Sequence, residues 1–263
     1  ASGAARYLEL MPTTEGALDL KMDLTQIIDG YPGHEHTFPV YPLYDDVIGL
    51  TAESRTAYTP TLLVTYGGPW AENYFYTREN PHDNVKLQRF MPHSEIDART
   101  RRKGQGAGPG PGGWFMEEEH VFDEQAETLN DIVDAGGRAG VGSHGQLQGL
   151  GYHWELWAMA TGGLSNHEAL RLATITGADA IGLDQDVGSI APGKLADLVV
   201  LRKNPLDSLR HTQTIRYVMK NGRLYEGSTL DEVYPRSRQL PTMWWQQRGP
   251  DGELPGVGRS RGE

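Results

Sequence analysis

Two histidines flank a glutamate in the segment GHEHTFP, where His34 and His36 stand on either side of Glu35. The segment ends a predicted strand, and side chains two residues apart on a strand point to the same face. Both imidazoles are therefore candidates to bind one metal ion, with a hydrogen-bonded structural role as the alternative for either histidine. Pro39 cannot donate to a neighbouring strand, which is consistent with a strand that ends here.

A further histidine, His144, stands at the end of the predicted strand in RAGVGSHGQ, between small residues that let a ligand approach. Its imidazole suits either a nitrogen ligand or a general base. His153 follows in GYHWELW and either binds the same ion or packs in a helix beside tryptophans. Glu155 is a candidate general base or supporting carboxylate, with a solvated position on the helix as the alternative.

The absence of cysteine excludes disulfides and thiolate metal sites, so His, Asp and Glu are the remaining metal ligands. Such ligands suit a divalent ion, for which zinc is the first expectation and manganese, cobalt or iron are the others. His120 lies among acidic residues in EEEHVFDEQ. We predict that it is a surface histidine whose pKa is raised by that neighbourhood.

An aromatic segment, YGGPWAENYFY, directly follows a predicted strand. Loops that follow barrel strands carry specificity, so Tyr66, Trp70 and Tyr74 are candidate substrate-binding residues. The alternative is that these rings anchor a packed loop. The backbone N–H groups of Tyr66-Gly67-Gly68 are also candidate donors to a developing oxyanion.

Composition narrows the class of partner. The chain has 263 residues, a formal net charge of -11 and a pI near 5.3, which disfavour nucleic acid and anionic membranes as partners. A small-molecule substrate is therefore expected. The sequence has neither a membrane-spanning run of about eighteen apolar residues nor the features of a signal peptide, so we expect a soluble protein of open localisation. A start without methionine suggests a truncated N-terminus.

Apolar stretches alternate with amphipathic stretches of helical length, a pattern typical of βα units on a parallel sheet. We predict four units over residues 1–183, with strands at Tyr7–Thr14, in GHEHTFP, at Ala57–Thr65 and at Arg138–Ser143. Four units are half of a (β/α)8 TIM barrel, which takes about 250 residues. The fold class is therefore α/β, a partial barrel, and its open edges predict a homo-oligomer.

The composition changes after residue 183. Residues 184–234 predict a small β element with a hairpin at Asn221-Gly222. Residues 235–263 are predicted to be an extension that packs as far as Trp244 and Trp245 and is disordered at its end.

Several of these phrases resemble one family. The block GSIAPGKLADLVVL at Gly188–Leu201, with SNHEALRLATITGADAIGL before it and VMKNGRLYE after it, is similar to the C-terminal signature of the amidohydrolase superfamily. Within the superfamily, the block resembles in particular the imidazolonepropionase-like and prolidase-like branch. The phrases EHTFP, AYTPTLLVTYGG and GSHGQLQGLGYHWELW are more similar still to amidohydrolase domains that follow a TolB-type propeller. The resemblance runs from about Leu10 to Trp245.

The resemblance implies a (β/α)8 barrel that holds one or two divalent metals. It makes His36 the metal ligand carried by the sixth strand of the family's barrel, and it places His144 where the family has an aspartate. At the fifth-strand histidine, this sequence has Thr13 or Thr14, with Glu15 as the nearest residue able to bind metal. The family's other metal ligands lie in the first half of its barrel, which has no counterpart in this sequence.

Two functions follow as expectations. The first is a metal-dependent hydrolase in which metal-activated water attacks an amide, ester or phosphoester centre. The second is a catalytically degenerate half-barrel that acts as an assembly or binding module.

Overall fold

The protein was described from a computed structural model that covers residues 2–100, 115–144 and 147–247. This part of the chain contains two four-stranded sheets, the first parallel and the second antiparallel. Its helices, in chain order, are α1 (Ser2–Tyr7), α2 (Leu20–Ile28), α3 (Asp45–Ser54), α4 (Ala71–Arg78), α5 (Val85–Phe90), α6 (His93–Thr100), α7 (Phe122–Asp134), α8 (Leu150–Thr161), α9 (Asn166–Leu172) and α10 (Ile175–Ala180).

The parallel sheet has its strands in chain order, β1-β2-β3-β4. The strands are β1 (Thr13–Glu15), β2 (Gly33–Glu35), β3 (Ala57–Thr59) and β4 (Arg138–Ala139). Thr14, His34, Tyr58 and Ala139 lie side by side across all four strands. The predicted α/β character and parallel sheet are therefore confirmed.

The strands are shorter than predicted, and two of them are shortened for a local reason. The first was placed at Tyr7–Thr14, but Tyr7 ends α1 and pairing starts at Thr13. The third was extended to Thr65, but Pro60 lacks an N–H group and Thr61 has a φ of 52°, so a 3-10 turn follows at Leu62–Val64.

Helices α7 and α8 pack against each other and contribute many of the side chains in the buried core. Helix α7 buries residues at three- and four-residue spacing, which is the apolar stripe of an amphipathic helix, whereas α8 is buried along most of its length. The two helices meet closely at Gly162, the residue that ends α8. A Cβ atom at Gly162 would lie 2.0 Å from the carbonyl carbon of Ala126 in α7.

The long segment between β3 and α7 contains α4, α5 and α6, which the sequence had indicated only as an aromatic insertion. Helix α4 packs its aromatic side against α8, with the Phe75 ring stacked on Trp154 at 5.5 Å between centroids. Glu72, in the first turn of α4, is only 5% exposed and is within hydrogen-bond distance of the Tyr76 hydroxyl. Burial outweighs that hydrogen bond and raises the pKa of Glu72 to about 7.

The antiparallel sheet consists of β5 (Leu198–Leu201), β6 (Ile215–Lys220), β7 (Arg223–Glu226) and β8 (Glu232–Tyr234). The predicted hairpin joins β6 and β7. Asn221 and Gly222 have φ values of 49° and 75°, as a two-residue hairpin turn with positive φ at both positions requires.

The three predicted segments, 1–183, 184–234 and 235–263, remain a prediction as domain boundaries. Trp244 is 59% exposed, so the expected packing as far as the tryptophans is not seen at this ring. Residues 248–263, where we expected disorder, lie outside the described residues. In the described part of the chain, helices are too short or too polar to cross a membrane.

We predict that Gly162→Ala destabilises the protein by about 1–3 kcal/mol, because the new methyl group would overlap the backbone of α7 and force the helices apart. Gly49→Ala is the matched control, because Gly49 lies in a helix, α3, but an added Cβ would have no atom outside its own helix within 4 Å. Replacing a helical glycine by alanine there should stabilise by roughly 0.5–1 kcal/mol. Urea unfolding of both variants measures the difference, and equal stabilities would contradict this packing.

We predict that Glu72 makes stability fall as pH rises. The folded protein keeps the Glu72 proton up to a pKa of about 7, whereas the unfolded chain releases it near the ordinary value of 4.5. Between these values the unfolded state binds fewer protons, so the free energy of unfolding should decrease by up to roughly 3 kcal/mol and level off above the folded pKa. The measurement is the free energy of unfolding at a series of pH values from 4 to 8. Its decrease with pH should be smaller in Glu72→Gln, whereas Glu95→Gln, at an exposed carboxylate, should show the same decrease as the wild type.

Candidate functional site

The candidate site lies at the carboxyl ends of the parallel strands. Glu15, Glu35 and Thr59 are the last residues of β1, β2 and β3 and stand in register. His36 follows directly and extends the pairing by one bond, since its N–H donates to the Thr59 carbonyl at 2.8 Å. The chain after β4 leads to His144 at the same end of the sheet. Carboxyl ends of parallel strands are where ligands bind in folds of this type.

His36 is the centre of this cluster. Its backbone is left-handed, with a φ of 74°, an uncommon conformation for a residue with a side chain. Its Nε2 atom lies 2.8 Å from Glu15 Oε1, and its ring stacks on Tyr66 at 5.7 Å and meets the His144 ring at 5.6 Å between centroids. The His36 side chain is buried, whereas that of Glu15 is 76% exposed. Two imidazoles, a carboxylate and a phenol thus converge at one place.

His34 is in a different environment. It is fully buried and stacks on Phe38 at 4.8 Å and on Tyr58 at 6.1 Å between centroids. Neither ring nitrogen has a hydrogen-bond partner among the described residues. Burial, followed by the neighbouring His36, lowers the pKa of His34 to about 4, so the ring is neutral at pH 7.

His34 and His36 share one face only if a single strand runs through both residues. The structure ends β2 at Glu35, and the left-handed backbone at His36 turns its side chain independently of the pleat. Both histidines nevertheless border Gly16. A Cβ atom on Gly16 would lie 3.3 Å from His34 Nε2 and 3.3 Å from His36 Cβ.

His153 and Glu155 lie on α8 and have partners of their own. His153 Nδ1 is 2.9 Å from the Thr212 hydroxyl, and burial, with nearby Lys86, lowers the pKa of His153 to about 4. Glu155 is fully buried, and its two oxygens accept the N–H groups of Leu62 and Leu63. These contacts join α8 to other parts of the core rather than to the His36 ring.

The aromatic candidates separate into two groups. Tyr66 stacks on His36, and burial, with Glu15 and Asp23 nearby, raises its pKa, so its hydroxyl stays protonated at neutral pH. Tyr74 instead packs edge-on against Phe122, with the Arg78 guanidinium 3.6 Å above its ring. Half-buried Trp70 immediately precedes α4.

The surface position predicted for His120 is wrong. This residue is 8% exposed and packs edge-on against Tyr74 and Phe122. Burial is the largest influence and lowers the pKa of His120, against the acidic neighbours that were expected to raise it.

Sequence reasoning missed Thr37 entirely. The Thr37 side chain is fully buried, and its Oγ1 accepts the N–H of Tyr66 at 3.3 Å. The available signal was the position of this hydroxyl residue directly after Glu35-His36, because a neighbour of His36 in the sequence lies close to the groups that His36 contacts. The partner itself lies 29 positions along the chain and was not readable from spacing.

The donor types in the cluster suit a divalent ion, since imidazole nitrogen and carboxylate oxygen both bind zinc. The arrangement does not, because within residues 2–100, 115–144 and 147–247 no three His, Asp or Glu side chains are placed to hold an ion. His36 Nε2 already faces Glu15, while His34 and His153 have the separate environments described above. The described part of the chain therefore does not form a complete metal site by itself.

Comparison with known proteins identifies one family. A sequence profile described as the amidohydrolase family matches residues 14–225. A 5-methylthioadenosine/S-adenosylhomocysteine deaminase of Teredinibacter turnerae is 40% identical over 101 residues, which are 37% of this chain and 23% of that protein. A guanine deaminase of Escherichia coli is 44% identical over 59 residues, 22% of this chain and 13% of that protein.

Solved structures show the same fold. A Xaa-Pro dipeptidase with bound methionine has a TM-score of 0.58 and 22% identity, covering 86% of this chain and 47% of that one. Phenylurea hydrolase B has a TM-score of 0.57 and 18% identity, covering 91% of this chain and 48% of that one. The chain thus spans about half the length of these solved proteins, and its matches cover less than a quarter of the two deaminases.

We predict that Gly16→Ala disrupts the cluster. The added Cβ would lie 2.4 Å from the Glu35 carbonyl oxygen, so β1 and β2 would have to separate beside His36 at a cost of about 1–3 kcal/mol. Two-dimensional NMR of the histidine rings should show shifted His36 signals. Gly3→Ala, at a helical position with open space, is the control. Unchanged His36 signals in Gly16→Ala would refute the close approach of Gly16.

Proposed function

The chain belongs to the amidohydrolase family, and from this premise we propose that it acts in a metal-dependent hydrolase in which water attacks an amide, ester or phosphoester centre of a small molecule. The observation that carries the proposal is the convergence of Glu15, His36, His144 and Tyr66 at the carboxyl ends of the parallel strands. A site at that end is where an enzyme of this fold binds substrate.

We propose that the four parallel strands are part of an eight-stranded barrel. The sheet order β1-β2-β3-β4, with helices on the connections, matches half of such a barrel, and the solved relatives are about twice as long as this chain. The other strands would come from a second copy or from further protein. This explains why the described donors are too few for an ion, and it makes a homo-oligomer the first arrangement to test.

Each residue of the cluster has a role in the proposed reaction. Glu15 accepts a hydrogen bond from His36 and thereby fixes the ring's rotation and tautomer. The His144 imidazole is suited to take a proton from the attacking water and return it to the leaving group. Tyr66 forms one wall beside His36, and the backbone N–H groups of Gly67 and Gly68 would donate to the oxyanion that develops on the substrate.

A bound divalent ion would supply a water of lowered pKa and polarise the scissile bond. His36 is the first ligand candidate, with Glu15 as the nearest carboxylate, and zinc is expected first with manganese, cobalt or iron as alternatives. His144 would bind the ion only if another group acted as the base, because one imidazole nitrogen cannot do both. The remaining donors must come from outside the described residues. His34 and His153, our other ligand candidates, would need to leave their present contacts to take part.

Names of relatives widen the range of substrates to test. Two matched proteins are named as deaminases of purine-containing compounds, and one solved relative is a dipeptidase of Xaa-Pro bonds. A substrate panel should therefore include purines, purine nucleosides, Xaa-Pro dipeptides, a simple ester and a phosphotriester. All these reactions share the addition of water to an electrophilic centre.

The second candidate function is a binding or assembly module built on a degenerate half-barrel. One observation makes it worth testing: the described residues do not include three suitably placed metal donors. Metal content, hydrolytic activity and oligomeric state distinguish this function from the hydrolase.

We predict about one divalent ion per purified chain. His36→Ala should lower the metal content and should lower kcat/KM by more than about a hundredfold, because losing a ligand costs more than losing a residue that only supports a ligand. His167→Ala is the control, because this exposed histidine lies on α9. Elemental analysis, the substrate panel with and without a chelator, and mass by light scattering are the measurements.

Full metal content and activity in His36→Ala would refute this ligand assignment. A metal-free, inactive and monomeric wild type would favour the binding module instead.

A further inference from the structure

Glu155 is a buried carboxyl group with both oxygens committed to the backbone. The residue is fully buried on α8, and its Oε1 and Oε2 accept the N–H groups of Leu62 at 2.7 Å and Leu63 at 2.9 Å. These N–H groups open the 3-10 turn after β3, and such groups have no partner within their own turn. Burying a carboxyl group is costly unless it is hydrogen-bonded, so this contact fixes the position of the turn.

The turn held by Glu155 leads directly to the candidate site. The Thr65 N–H donates to the Leu62 carbonyl at 3.1 Å, which closes the turn, and Tyr66 is the next residue. The Tyr66 N–H then donates to Thr37 Oγ1 at 3.3 Å. These bonds fix both ends of a five-residue segment, Leu62 to Tyr66, whose last ring stacks on His36.

Helix α8 is a rigid base for this contact. Trp154, the residue before Glu155, is fully buried, stacks on Phe75 and meets Tyr76 edge-on at 5.4 Å between centroids. A carboxyl group carried by such a helix has little freedom to move, because packed interiors resist displacement. Movement of the turn is therefore limited by the position of α8.

These contacts do not suit Glu155 to the role of a general base. A base must lie within hydrogen-bond reach of the proton that it abstracts, and here both oxygens face backbone N–H groups in a buried position. Its position does suit an indirect role, transmitted through Leu62, Leu63 and Thr65 to Tyr66.

We propose that Glu155 is a positioning residue that holds the turn at Leu62–Val64 and thereby sets the Tyr66 ring against His36. Its effect on turnover rests on the proposed hydrolase function. Its effect on the Tyr66–His36 contact does not, and can be measured in the absence of any activity.

The test compares two variants with a control on the same helix. Glu155→Met removes both acceptors at similar volume, whereas Glu155→Gln keeps one acceptor oxygen. Trp157→Phe removes a different buried hydrogen bond of α8, from Trp157 Nε1 to the Leu209 carbonyl at 2.8 Å, and leaves Leu62 and Leu63 untouched. Hydrogen exchange at residues 62–66 and the nuclear Overhauser effect between the Tyr66 and His36 rings are measured by NMR on the full chain.

We expect the Leu62 and Leu63 amides to exchange at least about tenfold faster in Glu155→Met, the loss appropriate to a hydrogen bond with a carboxyl group. The Tyr66–His36 signal should weaken in the same variant, with a smaller change in Glu155→Gln and none in Trp157→Phe. With an active substrate, kcat should fall about tenfold in Glu155→Met at little change in KM, since a misplaced wall residue affects the reacting geometry more than uptake.

A Tyr66–His36 signal that persists after the Leu62 and Leu63 amides lose protection would overturn the proposal. Freely exchanging Leu62 and Leu63 amides in the wild type would do so as well, even if Glu155→Met fails to fold. An inactive wild type with the expected NMR changes would reject the hydrolase and support the positioning role.

Discussion

In-register parallel pairing of β1, β2 and β3 is the constraint on which the candidate site depends. It places Glu15, Glu35 and Thr59 at one level, so the residues that follow each strand leave the sheet together. His36 extends the pairing by one more bond and then turns in a left-handed conformation. A shift of one residue would move every side chain to the opposite face and separate His36 from Glu15.

Two buried ionisable side chains, Glu155 and His34, differ in whether they have hydrogen-bond partners. Glu155 has two backbone donors, yet burial still raises its pKa to about 8, so the carboxyl is largely protonated at neutral pH. His34 has no hydrogen-bond partner among the described residues and stays neutral. A neutral form is the ordinary response to an environment that does not solvate charge. Glu155 and His34 are therefore both largely neutral at pH 7.

The hydrogen bond between His36 and Glu15 joins a buried side chain to an exposed one. Glu15 forms its bond to His36 from a side chain that is largely in solvent, whereas His36 itself is buried. Such a contact is worth less than a buried one in stability, but it still sets the orientation of the ring.

Local sequence determined the order of the four parallel strands, the hairpin at Asn221-Gly222 and the placement of His36 and His144 at strand ends. Each depends on backbone preferences and side-chain periodicity over a few residues, which a sequence displays directly. Strand lengths were less accurate, because α1 takes up the start of the first predicted strand, and Pro60 and the left-handed Thr61 end the third.

Only the tertiary structure decided which side chains meet. Glu155 reaches Leu62 across 93 positions of the chain, and Tyr66 reaches Thr37 across 29. It also separated His153 from His36 and buried His120, because packing between helices overrides the polarity of neighbouring residues in the sequence. Contacts of this range depend on how the elements pack, and no local pattern encodes them.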